Sequence, residues 1–334
     1  MTDKIRIGLI GTGRIGQVHA ASIASSKDFE LTYTADPFIA GAEKVAAEYG
    51  GKVTNDAEVL LTSGEVDAIL VASPTPTHVG LIGRAIELGL HVLCEKPIAL
   101  DLTSVDALRE TAANAKTVVA LGFQRRVDPH LGEIANRVAR GEIGKLEQIT
   151  MVSRDPAPAP RDYIAVSGGI FKDMTIHDFD MARFFVPNIV EVTAVASNVF
   201  CDYIKEENDY DSATVVLKGA GGEIITIINC RHAAYGYDQR IEAFGSEGML
   251  VGSNTPANTI RSYTAKSVEA GDPYPNFFLE RYMPAYRLEL DAFAAGIRSG
   301  KPTTPTYEDG RAALILAEAA LESVKTGKTV KVSL

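Results

Sequence analysis

An aspartate and a histidine four residues apart, Asp173 and His177, and a lysine directly before a proline, Lys96, are the side chains of this chain best suited to proton chemistry. At i, i+4 spacing on a helix both side chains share one face. A carboxylate beside an imidazole fixes the ring's tautomer and stabilises its protonated form, as a general base that removes a hydroxyl proton requires. The same pair also reads as a helix-capping aspartate and a core histidine, because Met181 and Phe184 continue the stripe. A lysine at a strand end is ordinarily solvated, but Pro97 biases Lys96 to an extended backbone and fixes the chain direction after it, so the ammonium is aimed. Metal chemistry at Asp173, His177, Asp178 and Asp180 is not expected, since the group has one histidine and no two-histidine spacing. Asp178 and Asp180 are expected at the surface or behind the site.

A second set of residues has the spacing of a nucleotide site. The segment KIRIGLIGTGRIGQVHA contains G-x-G-x-x-G at Gly11, Gly13 and Gly16, preceded by an apolar run and followed by a helical pattern. Gly11 permits the tight turn, Gly13 lets the backbone approach a pyrophosphate, and Gly16 lets helix and strand pack closely. The helix start supplies N–H groups and a positive dipole end for phosphate. Asp36 lies 20 residues beyond Gly16, at the end of a second strand. There a carboxylate accepts hydrogen bonds from ribose hydroxyls and repels a 2′-phosphate, so NAD is expected rather than NADP. As a plain turn acid before Pro37, Asp36 would cap local N–H groups instead.

The elements that must position these residues alternate in βαβ fashion. Strands are predicted at Ile5 to Ile10, Leu31 to Asp36, Val66 to Ser73, His91 to Glu95 and Thr117 to Phe123, with helices at Arg14 to Ala24, His78 to Leu88 and Leu102 to Asn114. Strands this apolar are buried on both faces, the pattern of a doubly wound parallel sheet of the Rossmann type with ligand at the carboxyl ends of its strands. The E-K-P segment, Glu95 to Pro97, sits at such an end. After Phe123 the pattern changes to a helix (Pro129 to Arg140) and β-like segments at Leu146 to Ser153, Ile189 to Val199, Tyr210 to Leu217, Glu223 to Cys230, Gln239 to Phe244 and Met249 to Val251. Gly219 to Gly222 and Gly245 to Gly248 read as hairpin turns. The expected architecture is α/β: residues 1–122 form an NAD-binding domain, and residues 123–334 form a substrate-binding and oligomerisation α+β domain around a large, mostly antiparallel or mixed sheet. A sheet face left uncovered in one subunit would be buried by self-association. Helical periodicity is predicted from Asp173 through Phe185, after a loop at Ser167 to Gly169.

Length and composition agree with this plan: 334 residues, 46% hydrophobic, suffice for two cores. The formal charge of −10 and the absence of Lys/Arg clusters beyond Arg125 and Arg126 exclude a nucleic-acid surface. No apolar stretch is long enough to cross a bilayer, and Met1 to Arg6 lacks a signal-peptide core, so a cytoplasmic protein is expected. Cys94, Cys201 and Cys230 have neither disulfide nor zinc spacing and read as small apolar residues.

The nucleotide motif Gly11 to Gly16, E-K-P at Glu95 to Pro97, G-F-Q-R-R at Gly122 to Arg126, and the G-G-x-x-x-D-x-x-x-H-x-x-D run from Gly168 to Asp180 resemble, along essentially the full chain, the glucose-fructose oxidoreductase / inositol dehydrogenase / rhizopine-catabolism family. Within that family the S-R-D-P loop (Ser153 to Pro156), the run from Ser167 to Phe184 and Y-G-Y-D (Tyr235 to Asp238) are most similar to the inositol 2-dehydrogenase branch. The resemblance implies oxidation of a ring hydroxyl of myo-inositol to a ketone with NAD as hydride acceptor. It implies that His177 takes the hydroxyl proton, Asp173 orients and supports it, and Lys96 hydrogen-bonds the reacting oxygen. Arg126, Asp155, Thr175 and Tyr235 are the further polyol partners, Asp155 and Tyr235 foremost. Arg126 reads equally as half of a structural ion pair, and Thr175 as a residue on the helix surface. Thr12, Arg14 and Ile15 would line the pyrophosphate turn, with Ser73, Pro74, Thr75, Glu95 and Lys96 beside the cofactor, while His19 packs in the first helix. A homotetramer is implied by the resemblance alone. The same fold also serves dehydrogenases of scyllo-inositol, glucose or other sugars, imine or pyrrole reductases, and sugar-sensing regulators without catalysis. Joint retention of Lys96, Asp173 and His177 counts against the last.

Overall fold

The computed structural model describes residues 4–302 and 305–334; residues 1–3, at the start of the N-terminal stretch considered above, lie outside them. The chain packs as two units, one of residues up to Val127 with Met283–Leu314, the other of Asp128–Tyr282 with Ile315–Leu334. A single cut between residues 122 and 123 does not describe this division, because a late helix, Met283–Ser299, returns to the first unit. It places Leu290, Phe293 and Ala294 in the same core as Ile7, Leu9 and Leu31, with the Phe293 ring stacked on Phe29 at 5.9 Å. Its apolar stripe marks it as a packed helix, but nothing in the stripe says which core it fills.

The first unit is built on six parallel strands, β1 (Ile5–Ile10), β2 (Phe29–Ala35), β3 (Lys52–Thr54), β4 (Ala68–Val71), β5 (His91–Glu95) and β6 (Val119–Gly122), in the order β3-β2-β1-β4-β5-β6. This order reverses direction at β1/β4, the crevice where doubly wound sheets bind ligand. All of β4 is buried, as expected for a central strand with helices on both faces. The helices Arg14–Ser25, His78–Glu87 and Leu102–Ala113 fall where periodicity places them.

The second unit carries β7 (Leu146–Arg154), β8 (Ile189–Ser197), β9 (Ser212–Gly219), β10 (Ile224–Cys230), β11 (Asp238–Gly245), β12 (Gly248–Gly252) and β13 (Val330–Lys331), ordered β12-β11-β7-β10-β9-β8-β13. Pairing is antiparallel except between β7 and β10. Burial alternates along β9 and β11, so one face packs on the core and the other is open in a single chain. Among the described residues no helix is long and apolar enough to cross a membrane.

Candidate active site

At the first turn the glycines are required by contact as well as conformation. Gly11 has φ +96°, and a Cβ there would lie 2.5 Å from Ser73 N. A Cβ on Gly16 would lie 2.1 Å from the Gly11 carbonyl oxygen, whereas one on Gly13 meets nothing within 4 Å. Gly11 and Gly16 hold the strand, turn and helix together, and Gly13 leaves the open space a pyrophosphate needs. Gly13 is the N-cap of the helix that carries Arg14 and Ile15, and no side chain caps that helix end. Asp36 follows β2 directly. Its Oδ2 accepts from Thr12 N at 2.7 Å and Thr12 Oγ1 at 2.6 Å, and its Oδ1 from Phe38 N at 2.8 Å. Partial burial works against the charge, and these hydrogen bonds outweigh it, so the carboxyl ionises below its ordinary range. Asp36 is thus both a turn acid and an anion fixed beside the glycine turn.

The strand ends β4 and β5 supply the remaining first-unit candidates. Ser73 shares a 2.6 Å hydrogen bond with Thr77 across the single 3₁₀ turn Thr75–Thr77, which Pro74 precedes. Glu95 ends β5, its Oε1 lying 2.7 Å from His19 Nε2 and its Oε2 accepting from Lys96 N. His19 is buried against the edge of Tyr286, as its packing role requires. Lys96 is half-buried and joined to Pro97 by a cis peptide. Two residues here were not singled out by sequence. His78 is buried with Nδ1 2.8 Å from the Pro97 carbonyl oxygen and Nε2 2.8 Å from that of Ser73, tying the two strand-end turns together. Burial in particular holds its pKa below the ordinary histidine value. Glu289 lies buried behind Glu95, and burial together with the Glu95 charge pushes its carboxyl far up. The run from Pro74 to His78, P-T-P-T-H, lies just past the β4 strand end and so carries a signal for His78; a lone acid on an apolar helix carries none. Arg126 is buried and ion-paired with Asp309 at 3.1 Å, the structural role weighed for it.

In the second unit the candidates gather where the parallel pair β7/β10 ends. Asp155 follows β7, donating its N–H to the Cys230 carbonyl oxygen, and Arg231 follows β10. Arg231 is 1% exposed, and its guanidinium reaches Asp173 Oδ2 at 3.4 Å and Asp209 Oδ2 at 3.2 Å. Burial disfavours this charge, and Asp173, Asp209 and Asp155 together outweigh burial, so the guanidinium is held charged. The Tyr163 hydroxyl donates to Asp173 Oδ1 at 2.7 Å. Tyr235 stands at an adjoining network: its hydroxyl donates to Asp238 Oδ2 at 2.6 Å and accepts from Arg154 Nη1 at 2.7 Å.

The helix expected from Asp173 to Phe185 is broken. Asp173 closes a short turn, Ile170–Asp173, and a new helix, Ile176–Phe185, starts beyond it, with His177 N bonding the Met174 carbonyl oxygen. The i, i+4 argument therefore does not place Asp173 and His177 on one helical face. The break has a cause in Thr175, which is fully buried and donates to Asn229 Oδ1 at 2.6 Å. Thr175 is not on the helix surface, and neither Asp178 nor Asp180 is at the molecular surface. Asp178 accepts from Ser153 and Asn229, pinning the His177 helix to β7 and β10. Among the described residues no group of His, Cys, Asp and Glu has the arrangement of a metal site.

Residues 5–123 match the family described as "Oxidoreductase family, NAD-binding Rossmann fold", and residues 132–251 match the GFO/IDH/MocA C-terminal domain. An inositol 2-dehydrogenase of Rhizobium meliloti is 41% identical over 98% of this chain and 99% of its own. The chain belongs to the GFO/IDH/MocA family. Its first unit is the NAD-binding domain of that family, and the protein is an NAD-dependent oxidoreductase. Among solved structures, a myo-inositol dehydrogenase from Corynebacterium glutamicum is 55% identical, with TM-score 0.97 over 99% of this chain and 100% of that one. A scyllo-inositol dehydrogenase from Lactobacillus casei, solved with NAD(H) and scyllo-inositol, is 28% identical with TM-score 0.90 over 98% and 99% of the two chains. This GFO/IDH/MocA chain combines a doubly wound unit with a mixed sheet, open on one face in a single chain.

Proposed function

We propose that the protein oxidises a ring hydroxyl of myo-inositol to the ketone, as an inositol 2-dehydrogenase. The observation that carries this reading is the 55% identity, over essentially the whole of both chains, to a protein described as a myo-inositol dehydrogenase. The chemistry of the second unit supports it: three carboxylates, Asp155, Asp173 and Asp209, surround the single Arg231 cation at one strand-end cluster, an acidic excess suited to a neutral ring rich in hydroxyl donors and unfavourable to an anionic substrate. NAD, when bound, accepts the hydride. Gly11, Thr12, Gly13, Arg14, Ile15 and Gly16 would hold its pyrophosphate, Asp36 its ribose, and Ser73, Pro74, Thr75, Glu95 and Lys96 the neighbouring part.

In this reading His177 removes the hydroxyl proton, Asp173 supports the charge formed, and Lys96 hydrogen-bonds the reacting oxygen. A base, a compensating anion and a fixed cation together lower the cost of moving the proton as the carbon gives up hydride. Asp155 and Tyr235 select the ring through its other hydroxyls, with Arg126 a more distant candidate behind its ion pair. The scyllo isomer is the second reading, favoured by the Lactobacillus casei likeness.

The open face of the second sheet carries Val195, Val216, Ile224, Phe244, Met249 and Val251, all exposed in a single chain. Covering it with a second copy is the natural way to bury this apolar surface, and the assembly proposed is a cytoplasmic homotetramer.

The test is absorbance of reduced nicotinamide with NAD and then NADP against myo-inositol, scyllo-inositol, chiro-inositol, glucose and xylose. Fastest NAD reduction with myo-inositol is expected. Faster turnover of another polyol overturns the substrate, and NAD binding without turnover across the panel favours the regulatory reading.

A further inference from the structure

Asp173 is held by a clamp outside the sequence motif. Its two carboxylate oxygens are taken by different partners: Oδ1 receives the Tyr163 hydroxyl at 2.7 Å, and Oδ2 faces Arg231 Nη1 at 3.4 Å. Arg231 is itself fixed, since its backbone N–H bonds the Asp211 carbonyl oxygen and its Nη2 lies 3.2 Å from Asp209 Oδ2. The other Asp209 oxygen accepts from Ile170 N at 2.8 Å, at the head of the turn that ends in Asp173. The chain closes on itself: Asp173 to Arg231, Arg231 to Asp209, Asp209 to the backbone of the Asp173 turn. Gly169 completes it, with φ +85° and room for no Cβ, which would stand 2.8 Å from Asp209 Oδ1.

We propose that Tyr163 and Arg231 are positioning residues for the reaction, setting the direction of the Asp173 carboxylate and compensating its charge while substrate is bound. The proposal rests on Asp173 serving catalysis as read above. Arg231 is almost wholly buried and can serve no solvent contact, and a buried cation is costly unless its partners are fixed. Tyr163 keeps 48% of its surface while its hydroxyl is committed to Asp173, so removing that oxygen leaves the ring's packing intact. The two groups act differently. Arg231 supplies charge through a rigid fork, and Tyr163 supplies a single directional hydrogen bond.

The experiment uses the full-length protein with NAD and the best polyol of the panel. Tyr163→Phe is expected to lower kcat about tenfold, the usual scale for a hydrogen bond to a charged group, while leaving KM for NAD and the melting temperature near the parent values. With substrate deuterated at the reacting carbon, its isotope effect on kcat should be at least the parent's, since the slowed step is the chemical one. In an Asp173→Asn background the same change is expected to cost little more, because the charged acceptor is gone and only a neutral amide oxygen remains. Arg231→Lys, which keeps the charge and loses the fork, should lower kcat further than Tyr163→Phe. A parent-like kcat in Tyr163→Phe overturns the proposal, as does an equal loss with and without the Asp173 carboxylate. Parent-like turnover in Asp173→Asn alone overturns the underlying reading of Asp173, and this outcome is distinct from both.

Discussion

Lys96 as a solvated lysine, Asp36 as a turn acid and His177 as a core histidine are the alternatives to function that a substitution can decide. Lys96→Ala or His177→Ala should lower kcat by about 10² to 10⁴-fold with the fold retained, the usual worth of a positioned acid or base. The check is kcat beside a circular-dichroism melt, and a variant with near-parent kcat refutes the role assigned to that residue. Asp36 is committed to Thr12 and Phe38, yet remains an anion at the end of β2. Asp36→Ala should narrow the preference for NAD over NADP by at least about tenfold, because a carboxylate no longer opposes the 2′-phosphate. The ratio of kcat/KM for the two cofactors measures it. If exclusion of NADP persists unchanged, Asp36 is a turn acid and nothing more.

Elements succeed or fail here on a few contacts. Gly16→Ala puts a methyl carbon 2.1 Å from the Gly11 carbonyl oxygen, so the first helix must move away from the turn. A loss of about 1 to 3 kcal/mol in stability and weaker NAD binding are expected, the second by calorimetry, since the chain has no tryptophan to report it. In the second unit the Asp128 carboxylate accepts from His130 and Leu131 N–H at the start of the helix Leu131–Ala139, and pairs with Arg281 at 2.7 Å with both side chains buried. Burial pushes the Asp128 pKa up, but Arg281 and the helix-start N–H groups pull it down further, for a net lowering. A carboxyl whose folded pKa is depressed stabilises the fold above its unfolded value, near pH 4, and loses that contribution as pH falls toward the folded value. Asp128→Asn should therefore cost about 3 kcal/mol at neutral pH, by stranding Arg281, and flatten the acid limb of stability below pH 4. Urea melts at pH 7 and pH 3.5 test both parts. Equal acid sensitivity in parent and variant would show that other carboxylates govern it.

The whole molecule poses the question of how its open sheet is covered. Lys218, Ile224, Gln148 and Phe244 lie in register across β9, β10, β7 and β11, so the apolar residues sit within one continuous face rather than as scattered side chains. Ile224→Lys combined with Phe244→Lys adds like charge beside Lys218. Sedimentation should then show a smaller species than the parent with unchanged secondary structure; an unchanged sedimentation coefficient would place the subunit contact elsewhere.

Local pattern made much of this molecule readable. The strand and helix alternation of the first unit, the G-x-G-x-x-G turn with Asp36, and the hairpins at Gly219 and Gly245 depend on neighbours within a few residues, whose periodicity and backbone needs are written in the chain itself. The E-K-P and D-x-x-x-H spellings, equally local, pick out Lys96, Asp173 and His177 as candidates. What the chain did not show is set by contacts between distant segments. The helix Met283–Ser299 joins the first core because Phe293 finds Phe29, and the helix expected through Asp173 breaks because Thr175 is drawn to Asn229. Asp178 is buried because Ser153 and Asn229 satisfy it, and Asp173 is held by Tyr163 and Arg231. A polar side chain's role follows from the partner that compensates its burial, and that partner's place in the sequence is fixed only when the sheet brings the strand ends together.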